Sequence, residues 1–119
     1  MNNIKISANF FLREFECKDG EHQVRIDSRL LQKLQALRDK VGRPVIILSG
    51  YRNPSYNRKV GGSPGSRHLL GKAADIVVPG YSVEELARIS REIGFTGIGL
   101  YNSFVHVDVR EKEATWKKT

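Results

Sequence analysis

In IDSRLLQKLQALRDKVG, Leu30, Leu34, Leu37 and Val41 recur every three or four residues, with Leu31 beside them. That spacing lines one side of a helix. Asp27 or Ser28 stands where the first turn needs a cap, and Gly42 where the last turn needs a stop. SVEELARISREIG repeats the pattern with Leu86, Ile89 and Ile93 as its buried face. Ser82 and Glu85 form a capping box at its start, and Gly94 ends it. PVIILSG and AADIVV are short, unbroken apolar runs rich in branched residues, and both predict buried strands. GIGLY and FVHVDVR predict two more strands, joined by a tight hairpin at Asn102-Ser103. NFFLREFE predicts a short helix presenting Phe11, Leu12 and Phe15 to the core, and NPSYNRKV another that opens on Asn-Pro. GGSPGS is turn material. This order of elements predicts an α+β domain: a small, mostly antiparallel sheet with helices packed on one side.

A chain of 119 residues fits a single domain, 1–119. Hydrophobic residues at 39% and charged residues at 28% suit a soluble protein with one modest core, and a monomer is expected. No apolar run approaches the roughly 20 residues of a membrane span. The opening MNNIKISANFFLREFE lacks the uninterrupted apolar stretch of a signal peptide. The expectation is therefore a chain that is cytoplasmic when made, or one from which a leader has been removed. One cysteine, Cys17, excludes an internal disulfide. The net charge of +7 favours anionic partners, namely nucleic acid, anionic lipid or an acidic cell-wall polymer. The cations are spread along the chain, from Arg25 and Arg29 to the tail TWKK, with no long single-sign block. A positively biased soluble surface accounts for them equally well.

FVHVDVR changes the picture. Strand residues alternate faces, so Val105, Val107 and Val109 share the apolar face, and Phe104, His106, Asp108 and Arg110 share the other. Asp75 sits inside the otherwise apolar AADIVV, where a carboxylate is costly to bury unless it is paired or bound to a cation. His68 precedes it by seven residues in SRHLLGKAADI. His68, Asp75 and His106 make a two-histidine, one-carboxylate set. Such a set leaves one position open on a tetrahedral zinc, the pattern of a catalytic site. A nucleic-acid-binding role, suggested by charge alone, leaves these three residues unexplained, so no nucleic-acid partner is expected. VGGSPG lacks the Gly-Lys-Ser/Thr ending of a phosphate loop.

SGYRNPSYNRKVGGSPGSRHLLGKAADI followed by GIGLYNSFVHVDVR resembles the zinc D-alanyl-D-alanine carboxypeptidases and related peptidoglycan peptidases. That superfamily includes lysostaphin-type endopeptidases and the hedgehog signalling domain. The resemblance runs from about Ile4 to Arg110 and rests on Ser-Gly-Tyr-Arg, on Ser-x-His with its later Asp, and on the His-Val-Asp strand. It implies zinc ligands at His68, Asp75 and His106, a substrate-binding or charge-stabilising arginine at Arg52, and a substrate-facing serine at Ser66. Tyr51 and Tyr101 are candidates for the cleft wall, or for core and hairpin packing. Many relatives carry an acid three residues before the last ligand, or a His two before it, as general base. Here those positions hold Ser103 and Phe104. Asp108 is then either the base or a residue that orients a ligand histidine. His22, in the polar turn KDGEHQ, is expected to be exposed and unrelated to the metal. Cys17 reads as a small core residue or a soft ligand, and Trp116 as packing on the fold or as a saccharide-stacking surface.

The resemblance implies a Zn2+ metallopeptidase acting on peptidoglycan stem peptides at the cell wall, periplasmic or extracellular, as carboxypeptidase or endopeptidase. A phage lysin or a mature domain fits the missing leader. The alternative is a non-catalytic, zinc-containing cell-wall-binding module of the same fold.

Overall fold

The structure, a computed structural model, describes residues 2–118. A ribbon of β1 (Lys5–Ser7) and β2 (Phe10–Phe11) leads into a 3-10 turn at Leu12–Phe15. There follow α1 (Ser28–Val41), β3 (Ile46–Ser49), α2 (Pro54–Lys59), a second 3-10 turn at Arg67–Leu70, and β4 (Ala73–Val77). The chain continues through α3 (Val83–Ile93), β5 (Gly97–Leu100), β6 (Val105–Asp108) and β7 (Ala114–Lys117). The last five strands form one sheet in the order β3-β4-β6-β5-β7. Every pair in it is antiparallel except β5 with β7. This is the α+β architecture with a mostly antiparallel sheet.

The helices begin and end as their caps dictate. The Asp27 carboxylate accepts from the Arg29 N–H at 2.8 Å, and Ser82 and Glu85 bond each other's backbone at 3.1 Å. Gly42 and Gly94 close the two long helices in the left-handed conformation. Leu30, Leu34 and Leu37 of α1, with Leu86 and Ile89 of α3, pack on one face of the sheet. They meet Ile47, Ala74, Ile76, Ile98, Val105 and Val107 there. Each large side chain so buried contributes roughly 1.5–3 kcal/mol. Ile93 is only partly buried, and Ala87 and Ser90 complete the buried face of α3 in its place.

The opposite face of the central strands is also covered, but by polar groups. Asp75, His106 and Asp108 are all buried. Gly97 and Gly99 of β5 stand in register with Asp108 and His106. A β-carbon on Gly99 would lie 2.5 Å from the Trp116 ring, and one on Gly97 would overlap the Asp108 carboxylate. These two glycines are there for the space they leave. The hairpin closes at Asn102-Ser103, where the Tyr101 N–H donates to the Phe104 carbonyl at 3.0 Å.

Two expectations are corrected, and one element is new. PVIILSG forms an edge strand: Ile47 faces the core, while Ile46 and Leu48 are 43% and 46% exposed. An unbroken apolar run therefore hides an ordinary alternation. NFFLREFE splits into a strand and a 3-10 turn, so that Phe10 and Phe15 enter the core while Phe11 is half-buried. The charged tail contains a strand, β7, that extends the sheet.

The alternation along β3 has a measurable consequence. Ile47→Ala should cost about 2–5 kcal/mol by denaturant unfolding, as a buried aliphatic does. Leu48→Ala should change stability by about 0.5 kcal/mol or less.

Candidate metal centre

β4 and β6 pair so that Asp75 stands opposite His106. Their flanking residues Ala74, Ile76, Val105 and Val107 point into the core, which sends both polar side chains to the other face. His68 arrives from the second 3-10 turn, which Ser66, the residue before it, caps by accepting the His68 N–H at 3.2 Å. Asp75 Oδ1 lies 3.2 Å from His68 Nε2 and 3.2 Å from His106 Nδ1. One ligating atom from each of the three residues falls within 4.8 Å of the other two.

The outer hydrogen bonds decide where the ring protons are. His68 Nδ1 lies 2.7 Å from the Gly50 carbonyl oxygen, which can only accept. The proton is therefore on Nδ1, and the Nε2 lone pair faces Asp75. His106 Nε2 lies 2.7 Å from Asp108 Oδ2, another acceptor, which leaves the His106 Nδ1 lone pair facing inward. In that neutral tautomer of both rings, the state a metal needs, two lone pairs and a carboxylate oxygen converge with no proton between them. Such a set repels itself and attracts a cation. Zinc–ligand bonds of about 2.0–2.1 Å give a tetrahedron with edges of about 3.3–3.4 Å, close to the 3.2 Å separations here. Two imidazoles and one carboxylate suit zinc and not the all-oxygen shells of calcium or magnesium.

Charge is balanced around the set. Burial alone would raise the Asp75 carboxyl; without a metal, when a proton takes its place between the rings and the carboxylate, hydrogen bonds from His106 and His68 outweigh burial and hold Asp75 well below the usual carboxylate range. Burial likewise works against the Asp108 carboxylate, and bonds from His106 and Arg110 more than offset it. Burial opposes a charge on His106, yet its bonds to Asp108 and Asp75 raise its affinity for a proton in the metal-free protein.

Arg52 lines the same cleft, and its fork is already engaged. Nη2 donates to Asp75 Oδ2 at 3.2 Å, Nε to Ser49 Oγ at 3.1 Å, and Nη1 to Asn57 Oδ1 at 3.3 Å. Holding the outer carboxylate oxygen leaves Oδ1 to face the imidazoles. The cleft encloses about 480 Å³, and Ser66, Tyr101, Phe104 and Trp116 also line it. Tyr51 does not: it is half-buried and its N–H donates to the Phe15 carbonyl at 2.9 Å. Asp108 is fully buried behind His106 and does not reach the cleft surface. Ser103 lies outside the cleft, and Phe104 stacks on Tyr101 with ring centres 4.5 Å apart. Cys17 is buried away from the ligand set, and His22 is exposed and pairs with Glu16 at 3.0 Å.

Sequence reasoning put Arg110 on the face of His106 but gave it no role, and it did not find Asn57 or a cleft position for Trp116. Asn57 is buried, accepts from Arg52 and donates to the Ser63 carbonyl at 2.8 Å. The signal available was GIGLY, whose alternate glycines lie across from His106 and Asp108 and mark space that other side chains fill.

Comparison with known proteins agrees with this geometry. A family model described as Peptidase M15 matches residues 8–108. The zinc D-Ala-D-Ala carboxypeptidase of Streptomyces albus G is 40% identical over 67 residues, covering 56% of this chain. The match spans 26% of that protein's length, so this chain corresponds to about a quarter of it.

Purified protein should carry about one zinc per chain by elemental analysis, and His106→Ala should lose most of it. Protons compete for the inward-facing nitrogens, so zinc affinity should fall as pH falls, by about tenfold per pH unit for each proton displaced. The raised proton affinity of His106 makes this competition begin at higher pH than for an ordinary histidine. Chelator competition between pH 7.5 and 5.5 measures it.

Proposed function

The chain belongs to the peptidase M15 family, and from that premise we propose a zinc peptidase that hydrolyses peptide bonds in the stem peptides of bacterial peptidoglycan. The observation that carries this reading is the convergence of His68 Nε2, Asp75 Oδ1 and His106 Nδ1 beside Arg52 in an open cleft. A zinc ion held there would supply Lewis acidity for the scissile carbonyl and a nucleophile at neutral pH. His68, Asp75 and His106 would hold it. Arg52 fixes the Asp75 carboxylate and offers its remaining N–H groups to negative charge on the substrate. Asp108 is a positioning residue: buried behind His106, it keeps the proton on Nε2 and the lone pair on Nδ1. Ser66 and Tyr101 present hydroxyl groups to the cleft, and Tyr101 takes the place expected of Tyr51. The net charge of +7 suits an anionic wall as the place of action. The Streptomyces relative is a D-Ala-D-Ala carboxypeptidase, which makes a terminal D-Ala-D-Ala the first bond to test.

A specific observation favours the rival, a non-catalytic zinc module of the same fold. Among the described residues, no carboxylate or imidazole lines the cleft apart from the ligand set, and Ser103 and Phe104 occupy the positions of the usual base. Mass spectrometry of muropeptides after digestion separates the two. Loss of a residue or a crosslink, abolished by a chelator and restored by zinc, supports the peptidase. Retained zinc with every muropeptide intact supports the module.

Asp108→Asn tests the mechanism. As a positioning residue, Asp108 gives a variant in which zinc affinity and turnover fall together, by about 10–100-fold. A fully metallated variant whose rate has dropped by about 10²–10⁴-fold would make Asp108 the general base instead.

A further inference from the structure

Trp116 and Arg110 lie beyond residue 108, where the family match ends, yet both reach the metal centre. Arg110 Nη2 donates to Asp108 Oδ2 at 2.7 Å, and its Nε and backbone N–H donate to Oδ1 at 2.9 and 3.1 Å. Asp108 Oδ2 in turn accepts from His106 Nε2 at 2.7 Å. The His106 ring lies against Trp116, with centres 5.1 Å apart. The Arg110 guanidinium covers the Trp116 ring at 4.8 Å, which closes the circuit. Four side chains therefore hold one another in a loop, in space left open by Gly97 and Gly99. Trp116 is further fixed by donating its Nε1–H to the Tyr101 hydroxyl at 3.2 Å. With the Gly99 backbone against the ring and Arg110 over it, the tryptophan packs on the fold while part of its ring lines the cleft.

We propose that Arg110 and Trp116 are positioning residues of the zinc site, which makes β7 part of that site. The hydrogen bond to Asp108 pins one atom of the His106 ring but leaves the ring free to rock about that bond. Trp116 removes that freedom by blocking the ring, and Arg110 removes it from Asp108 and Trp116 together. Nδ1 is then held toward Asp75 before any metal arrives. Coupling between two sites is reciprocal. If β7 holds His106 for zinc, zinc must hold β7 in place.

The proposal rests on the zinc reading, and the experiment separates the two. Zinc dissociation constants are measured by chelator competition for the wild type, Arg110→Ala, Arg110→Lys, Trp116→Leu and Arg91→Ala. Arg110→Ala and Trp116→Leu should weaken zinc by about 10–100-fold, the usual effect of losing a ligand's support. Arg110→Lys should recover only part of the loss, because an ammonium cannot reproduce the fork. Arg91 donates to Thr115 Oγ1 at 3.1 Å, anchoring β7 without touching the circuit. Arg91→Ala should therefore keep zinc affinity within about twofold, well inside the weakening expected of the circuit variants. A second measurement needs no variant: amide hydrogen exchange at residues 114–118 of the wild type should slow when zinc is added. Trp116 is the chain's single tryptophan, so its fluorescence should respond to zinc as well. Folded Arg110→Ala and Trp116→Leu proteins that bind zinc like the wild type would overturn the proposal, as would unchanged exchange at 114–118. A wild type that binds no zinc would sink the metal centre itself, and this proposal with it.

Discussion

The rest of the molecule is arranged around one carboxylate oxygen placed between two imidazole nitrogens that carry no proton. Asp75 Oδ1 is 3.2 Å from each of them. Without a metal such an arrangement draws in a proton, and His106 binds one more tightly than an ordinary histidine does. Here the surrounding groups keep the lone pairs turned inward: the Gly50 carbonyl for His68, Asp108 for His106, and Arg52 for the outer oxygen of Asp75. Each of these partners must itself be rigid. Gly50 ends the edge strand, Asp108 lies on an interior strand, and Arg52 is tied to Ser49 and Asn57.

β4 and β6 are the strands that can provide such rigidity, because both are flanked in the sheet and covered on both faces. One cover is hydrocarbon from α1 and α3, and the other is a set of paired charges. The two faces ask opposite things of the sequence. The apolar face wants volume, supplied by Ile76, Val105 and Val107. The polar face wants partners for every buried group and room for them. Gly97 and Gly99 provide the room at the cost of weaker intrinsic strand preference. The hydrogen bonds around Asp75 and Asp108 compensate for taking two carboxylates out of water.

Much of this was legible in the chain, for identifiable reasons. The period of Leu30, Leu34 and Leu37, the Ser82 capping box and the alternation of Val105, Val107 and Val109 are local patterns, and each produced the expected element. Asp75 and His106 stood out because a charged or titratable residue inside an apolar strand is costly without a partner. What stayed hidden depends on distant pairing. β7 is four residues in a charged tail, and only its parallel register beside β5 makes it a strand. The same register places Trp116 over Gly99 and beside His106. Ile46 and Leu48 looked buried because an apolar run carries no mark of whether it lies at the centre or the edge of a sheet. Arg110 could be placed on the face of His106, but its partner Trp116 could not.

A count of charges gives the sign of the partner that would suit this pocket once a metal is bound. Asp75 is matched by Arg52, and Asp108 by Arg110. The two imidazoles are neutral when their lone pairs face inward, so the cluster is neutral before a cation enters. A divalent cation added to it leaves two charges uncompensated, on the side that opens into the cleft. Among the described residues lining that cleft, Arg67 and Lys118 add positive charge, and the ligand Asp75 is the one carboxylate. An anionic ligand, or a transition state that gathers negative charge, is the partner that completes the balance. Phe104, in the position where relatives place a histidine, contributes no charge to that sum. The acid that many relatives carry at the position of Ser103 would subtract from that sum, so its absence, which also leaves the base unassigned, leaves the positive balance intact.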